Sequence, residues 1–250
     1  MFGNFNAIKT KVFLINDTRD CGADYGDLFS QFGEIVRDPA KFRLQPYSFR
    51  LMVFTGGADV SPKLYGDTSP ENLCSSNPDR DREEKGLYAL GYQRGIKMVG
   101  ICRGMQFLNV MTGGKMVHHI DGHSTSSHQV MTRDRDEPFL VNSYHHQMCI
   151  PHKYTHILAW SHAKLSHRYI GDKDKPMNYK GPEVEAIYMP HAKAVGVQWH
   201  PEAAPEAGAW QIGKSWFLHL VRDLIDKQPS HFRKLYLGHN YEKLSVSEAL

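Results

Sequence analysis

The segment Gly100-Ile101-Cys102-Arg103-Gly104 constrains this chain more than any other, because it sets one thiol between a strand and a helix and fences it with glycines. Lys97, Met98 and Val99, with Ile101, form a short apolar run that reads as a core strand. Met105-Gln106-Phe107-Leu108-Asn109-Val110-Met111 reads as a helix, closed by Gly113-Gly114. A nucleophile presented at such a turn needs small neighbours, since its own backbone is strained and adjacent chain must pass close by. A cysteine at a helix N-terminus also meets the positive end of the macrodipole, which favours the thiolate. A structural cysteine between two core elements would carry the same local pattern, so the turn alone does not decide.

The second half of the pattern lies far downstream, in Ala194-Val195-Gly196-Val197-Gln198-Trp199-His200-Pro201-Glu202. Ala194 to Trp199 alternates in the manner of a core strand. Pro201 pushes His200 toward extended backbone, where residues two apart face the same way, so Glu202 can reach the His200 ring. A carboxylate on one imidazole nitrogen fixes the tautomer and leaves the other free to take a thiol proton. Taken singly, His200 fits a structural histidine and Glu202 a solvated loop carboxylate. Together with Cys102 they complete a nucleophile, base and orienter.

With these residues in view, the chain resembles the class I glutamine amidotransferase-like superfamily, and within it the γ-glutamyl hydrolase branch that includes γ-glutamyl-γ-aminobutyrate hydrolases. Three further stretches carry the resemblance: the glycine-rich loop Thr55–Gly66, the charged helix start Arg80-Asp81-Arg82-Glu83-Glu84, and Val141-Asn142-Ser143-Tyr144-His145-His146-Gln147. The matches fall in the family's order over about residues 50–202. The resemblance implies that Cys102 attacks, His200 acts as base and acid, and Glu202 orients it. It also implies an oxyanion hole from the backbone N–H groups of Gly57 and Arg103, and a substrate pocket lined by Gln106, Ser143, Tyr144 and His145. The implied reaction is cleavage of a γ-glutamyl amide through a thioester, on a small γ-glutamyl substrate. One alternative is a glutaminase subunit that hands ammonia to a separate synthetase partner; another is a non-catalytic binding relative. The complete Ser-Tyr-His-His-Gln and Gly-Gly-Ala-Asp-Val-Ser-Pro segments favour the hydrolase.

At 250 residues and 41% hydrophobic, the chain is long enough for one sizeable α/β domain. The expected fold is a doubly wound, mostly parallel sheet with helices on both faces and a nucleophile elbow. Val12–Ile15, Leu51–Phe54, Phe139–Val141, Ile157–Trp160, Val184–Tyr188 and Ala194–Trp199 read as further strands. Asp24–Phe32, Glu83–Arg94 and Ala209–Asp226 read as helices, with Asp81 and Glu84 as a capping box. Residues 1–228 are expected to form the domain and 229–250 a tail or surface element. The Lys164–Pro182 insert reads as a loop bordering the substrate entrance.

A net charge of +3, dispersed along the chain, gives no case for a nucleic-acid partner. Cys21, Cys74, Cys102 and Cys149 show no CxxC spacing, which fits a reduced, cytoplasmic setting. No signal core or bilayer-length apolar run is evident, so no membrane partner is expected. Homo-oligomerisation stays open. The implied chemistry needs no cofactor and no metal. Among 15 histidines, His118, His119, His123 and His128 cluster, but Asp121-Gly122 breaks any helix that would align them. They read as ordinary surface and strand histidines.

Overall fold

The computed structural model describes residues 10–16, 24–69, 73–124, 126–205 and 207–238. Cys21 and the readings at 1–6 and 239–250 lie outside them. In chain order the strands are β1 (Lys11–Ile15), β2 (Glu34–Val36), β3 (Phe49–Phe54), β4 (Lys97–Ile101), β5 (Lys115–Val117), β6 (His119–Ile120), β7 (Ser126–Thr132), β8 (Phe139–Ser143), β9 (Met148–Ile150), β10 (His156–Ser161), β11 (Tyr169–Ile170), β12 (Val184–Met189) and β13 (Ala194–Val197). The α-helices are α1 (Tyr25–Phe29), α2 (Pro39–Leu44), α3 (Pro78–Gln93), α4 (Arg103–Met111), α5 (Gln211–Asp226) and α6 (Pro229–Leu237).

A nine-stranded sheet runs in the order β2-β1-β3-β4-β13-β12-β10-β7-β8. From β2 to β13 neighbouring strands are parallel. From β13 to β8 every pair is antiparallel. Strand alternation sorts the core onto two faces: Phe13, Ile15, Met52 and Phe54 point to one side, Val12, Leu14, Leu51 and Val53 to the other. Phe42 of α2, Leu87 of α3 and Met105, Phe107 and Leu108 of α4 cover the first face. Phe29 of α1, Trp216, Phe217 and Leu220 of α5 and Phe232 of α6 cover the second. The expected α/β sheet with helices on both faces is therefore observed, its parallel part running from β2 to β13 and an antiparallel part extending it to β8.

Several boundaries differ for identifiable reasons. Helix α3 begins at Pro78, capped by the Asn77 side chain on the Arg80 N–H at 3.1 Å. Asp81 and Glu84 are thus interior helix residues and not a capping box. Strand β2 is too short to show a period, and β7, Ser-Ser-His-Gln-Val-Met-Thr, is too polar to show apolar alternation. Within the expected tail or surface element, Pro229–Leu237 form α6, which buries Phe232 with its ring centroid 4.6 Å from that of Tyr188 on β12. The Lys164–Pro182 insert carries β11, which pairs with β6.

Candidate active site

Parallel strands β3, β4 and β13 lie side by side and end together, which is where parallel α/β sheets gather ligands. The Thr55–Gly57 loop follows β3, Cys102 follows β4, and Gln198 to Glu202 follow β13. The register pairs Gly100 with Gly196 and Ile101 with Val197, and the Cys102 N–H continues the ladder to the Val197 carbonyl at 2.8 Å. Cys102 has φ 51° and ψ −112°, a conformation a non-glycine residue holds only when its surroundings impose it. They do so by close packing. A Cβ on Gly104 would stand 1.9 Å from the Phe54 carbonyl oxygen, and one on Gly100 would stand 2.5 Å from Gly104 backbone. The thiol is 8% exposed, so it is reached through a cleft and does not project from a surface.

His200 Nδ1 lies 2.6 Å from Glu202 Oε1. The contact is made across a short 3₁₀ turn at Pro201–Ala203 where extended chain was expected. Glu202 is also held by Tyr25, whose phenol accepts from the Gly56 N–H at 3.1 Å and hydrogen-bonds the carboxylate. Burial and the Glu202 charge push the Tyr25 phenol up, so it remains a donor. The His200 ring and Cys102 both border Gly56: a Cβ there would meet His200 Cε1 at 3.0 Å and Cys102 Cβ at 3.7 Å. Asn142 grips the backbone of His200 with two bonds, donating to its carbonyl at 2.8 Å and accepting from its N–H at 2.7 Å. Gln198 Nε2 stands 3.6 Å from the Cys102 sulfur.

A cleft of about 260 Å³ opens beside the thiol, with Gly57, Arg103, Gln106, Tyr144, His145 and His146 among its walls. Gly57 has φ +128°, and a Cβ there would stand 2.3 Å from the Arg80 guanidinium. Gln106 lies one turn beyond Cys102, with its amide Nε2 3.3 Å from Gln198 Oε1. Tyr144 is 56% exposed and stands edge-on to His200, with ring centroids 5.9 Å apart. His145 is buried in the wall, with Nδ1 on the Gln147 carbonyl at 2.9 Å. Ser143 is the exception among the expected lining residues. It is 2% exposed and its hydroxyl donates to the His123 carbonyl, so it shapes the wall from behind.

Asn142, Tyr25, Gln198, Asp59 and His146 are the site residues that sequence reasoning did not rank. Asn142 and Tyr25 act through partners distant in sequence and leave no local signal. His146 was readable as a candidate only with its pair, Asp59 Oδ1 at 3.2 Å, which raises its pKa above the ordinary 6.5. The Arg103 side chain turns away from the cleft into a buried network with Asp81 and Glu84. Arg80 completes it, 2.7 Å from Glu84 and 3.0 Å from the Thr55 carbonyl. Burial, and then Arg80, push the Arg103 guanidinium down to about 9.

Of the other described thiols, burial pushes Cys74 up to about 11 and Cys149 well above its ordinary value. Neither is suited to forming a thiolate at neutral pH. Among the described residues two groups bring histidine and carboxylate ligand atoms together: His123, His128 and Glu185, and Asp67, His118 and Asp172. In the second, both His118 ring nitrogens are engaged, by Asp67 at 2.9 Å and by Ser69, so no lone pair is left for an ion. Of the histidines expected on the surface and in strands, His128 does lie on β7, while His118 and His123 lie between strands and are buried, as His128 is. No described helix is long and apolar enough to cross a membrane.

Comparison with known proteins agrees with this architecture. The Peptidase C26 family model matches residues 38–164. The glutamine amidotransferase-like protein YvdE of Lactococcus lactis subsp. lactis (strain IL1403) is 29% identical over 174 residues, covering 62% of this chain and 66% of that protein. The γ-glutamyl-γ-aminobutyrate hydrolase of Escherichia coli O157:H7 is 27% identical over 172 residues, covering 58% of this chain and 60% of that one. The crystal structure of a glutamine amidotransferase from Thermotoga maritima superposes with a TM-score of 0.53 at 15% identity, over 91% of this chain and 94% of the other. That likeness concerns the fold; the family model, which spans half of the chain and includes the Cys102 turn, adds that the chain belongs to the Peptidase C26 family of class I glutamine amidotransferase-like proteins.

Proposed function

We propose that this chain is a cysteine hydrolase that cleaves a γ-glutamyl amide through a γ-glutamyl thioester. The observation that carries the reading is the meeting of three features at one strand-end cleft: a thiol on a strained turn, an imidazole bordering the same glycine, and a carboxylate 2.6 Å from that imidazole. In this reading the Cys102 thiol passes its proton to His200 and the sulfur attacks the γ-carbonyl carbon. The N–H groups of Gly57 and Arg103, both in the cleft wall, receive the oxyanion. The imidazolium, stabilised by Glu202, protonates the departing amine as the C–N bond breaks. Water then gives a proton to His200 and its oxygen attacks the thioester, releasing glutamate and restoring the thiol.

The naming of relatives as glutamine amidotransferases supports a second reading, a glutaminase that supplies ammonia to a separate synthetase. Both pass through the same thioester and differ in dependence on a partner. Incubating the purified chain with a panel of γ-glutamyl amines and with glutamine separates them. The hydrolase reading expects turnover of a γ-glutamyl amine by the chain alone, with a glutamyl adduct trapped on the Cys102 peptide and none in Cys102→Ala. An inert chain that releases ammonia from glutamine only when a synthetase is added would favour the second reading.

A further inference from the structure

His123, between β6 and β7, His128 on β7, His145 after β8 and Glu185 on β12 converge behind the cleft wall, and all four are buried. Glu185 Oε1 lies 3.1 Å from His128 Nε2, 3.2 Å from His123 Nδ1 and 3.5 Å from His145 Nε2. None of these contacts has hydrogen-bond alignment, and both Glu185 oxygens and all three facing nitrogens are without a hydrogen-bond partner. Unpaired buried polar atoms are costly, and five around one point call for an explanation.

The outer ring nitrogens supply it. His145 Nδ1 faces the Gln147 carbonyl at 2.9 Å, which can only accept, so the proton sits there and Nε2 presents a lone pair. His123 Nε2 faces Glu183 Oε2 at 3.1 Å, and its Nδ1 is turned toward Glu185 at 3.2 Å without hydrogen-bond alignment. Glu183 is itself fixed by the N–H groups of Leu165 at 2.9 Å and Ser166 at 2.8 Å and by the Tyr169 hydroxyl at 2.6 Å. Imidazole lone pairs facing a carboxylate oxygen repel unless a positive charge stands among them. A carboxylate on the outer nitrogen is also the usual support of a metal-bound histidine.

The spacing and the donor set suit zinc. Zinc binds imidazole nitrogen at about 2.0–2.1 Å and carboxylate oxygen at about 2.0–2.2 Å, so tetrahedral ligand atoms sit about 3.3–3.5 Å apart. The observed separations from Glu185 Oε1 fall close to that range. Glu185 and Glu183 together balance a divalent charge, and nitrogen-rich donors exclude calcium and magnesium. We propose that His123, His128 and Glu185, with His145 closing the fourth side, form a structural zinc site. It would pin the histidine of the cleft wall to β12. The inference does not depend on the reaction the chain performs.

The test uses the purified chain, stripped with a chelator and titrated with Zn²⁺ and, separately, with Co²⁺. One equivalent of Zn²⁺ should bind and raise the melting temperature. Co²⁺ should give the strong visible bands of a four-coordinate site with no thiolate charge-transfer band. Cys102→Ala should bind as the wild type does, and His128→Asn should lose the ion. If His128→Asn fails to fold, Glu183→Gln serves, with zinc affinity expected to fall about 10–100-fold. Folded wild-type chain that binds neither ion overturns the proposal, as does an affinity that Glu183→Gln leaves unchanged. A thiolate band, or loss of the ion in Cys102→Ala, places the metal on Cys102 and overturns it equally.

Discussion

Asn142 does for the His200 backbone what Glu202 does for its ring. Two hydrogen bonds from one amide fix the peptide unit from which the imidazole projects, and they reach across from β8 to the end of β13. Asn142→Ala should remove both bonds, leaving the His200 carbonyl with the Ala203 N–H at 3.2 Å, and cost about 1–3 kcal/mol. It should also lower kcat about 100-fold, since small misplacements of a reacting group carry penalties of that size. KM should change little, and Asn142→Asp, which keeps only the acceptor, should recover part of the loss. Steady-state kinetics with chemical denaturation checks both halves. At the cleft rim, Asp59 raises the His146 pKa, so the pair adds stability that is complete below 6.5 and fades as pH climbs through the raised value. Asp59→Asn should bring His146 back toward 6.5, read as a shifted imidazole titration by NMR. A titration that does not move would mean that Asp59 is not the cause.

Between elements, the buried group of Arg80, Asp81, Glu84 and Arg103 joins α3 to the first turn of α4 and to the loop after β3. Glu84→Gln removes the charge that both guanidinium groups share and should destabilise the fold by about 3–5 kcal/mol. Urea unfolding would show this as a lower midpoint with an unchanged slope. This network also marks where the sequence could be read and where it could not. The glycines and the thiol of the turn are dictated locally, by close approach and by backbone strain, so the elbow and its flanking strand and helix are visible in the chain itself. Arg103, the partner that Asp81 and Glu84 share, lies about twenty residues away on another helix, and as a charged run the two acids look like a solvated helix start. Ser143 was misplaced for a related reason: a strand residue's facing follows from register, which the turn chemistry around it does not disclose. Helix α2 did have a local signal, since Asp38 caps Ala40 at 2.8 Å with Pro39 at the first position.

At the scale of the whole molecule, the second face of the sheet is closed by α6, although the sequence after Lys227 turns polar. Phe232, Tyr236 and Leu237 supply its core contacts, with Tyr236 set edge-on to Trp216. Phe232→Ala should cost about 3–5 kcal/mol while leaving activity per folded molecule intact, because α6 touches the far end of β10 and not the cleft. Thermal melting beside an activity assay would separate the two effects. The order of strands in the sheet has one more consequence. The thiol and its imidazole follow adjacent parallel strands, β4 and β13, yet eight further strands of the large and small sheets, β5 to β12, are made in between along the chain. On the ribosome, Cys102 therefore emerges long before His200, and β13 cannot take its place beside β4 until the antiparallel half has been synthesised. The nascent chain therefore carries the thiol without its neighbouring imidazole until β13 has been made.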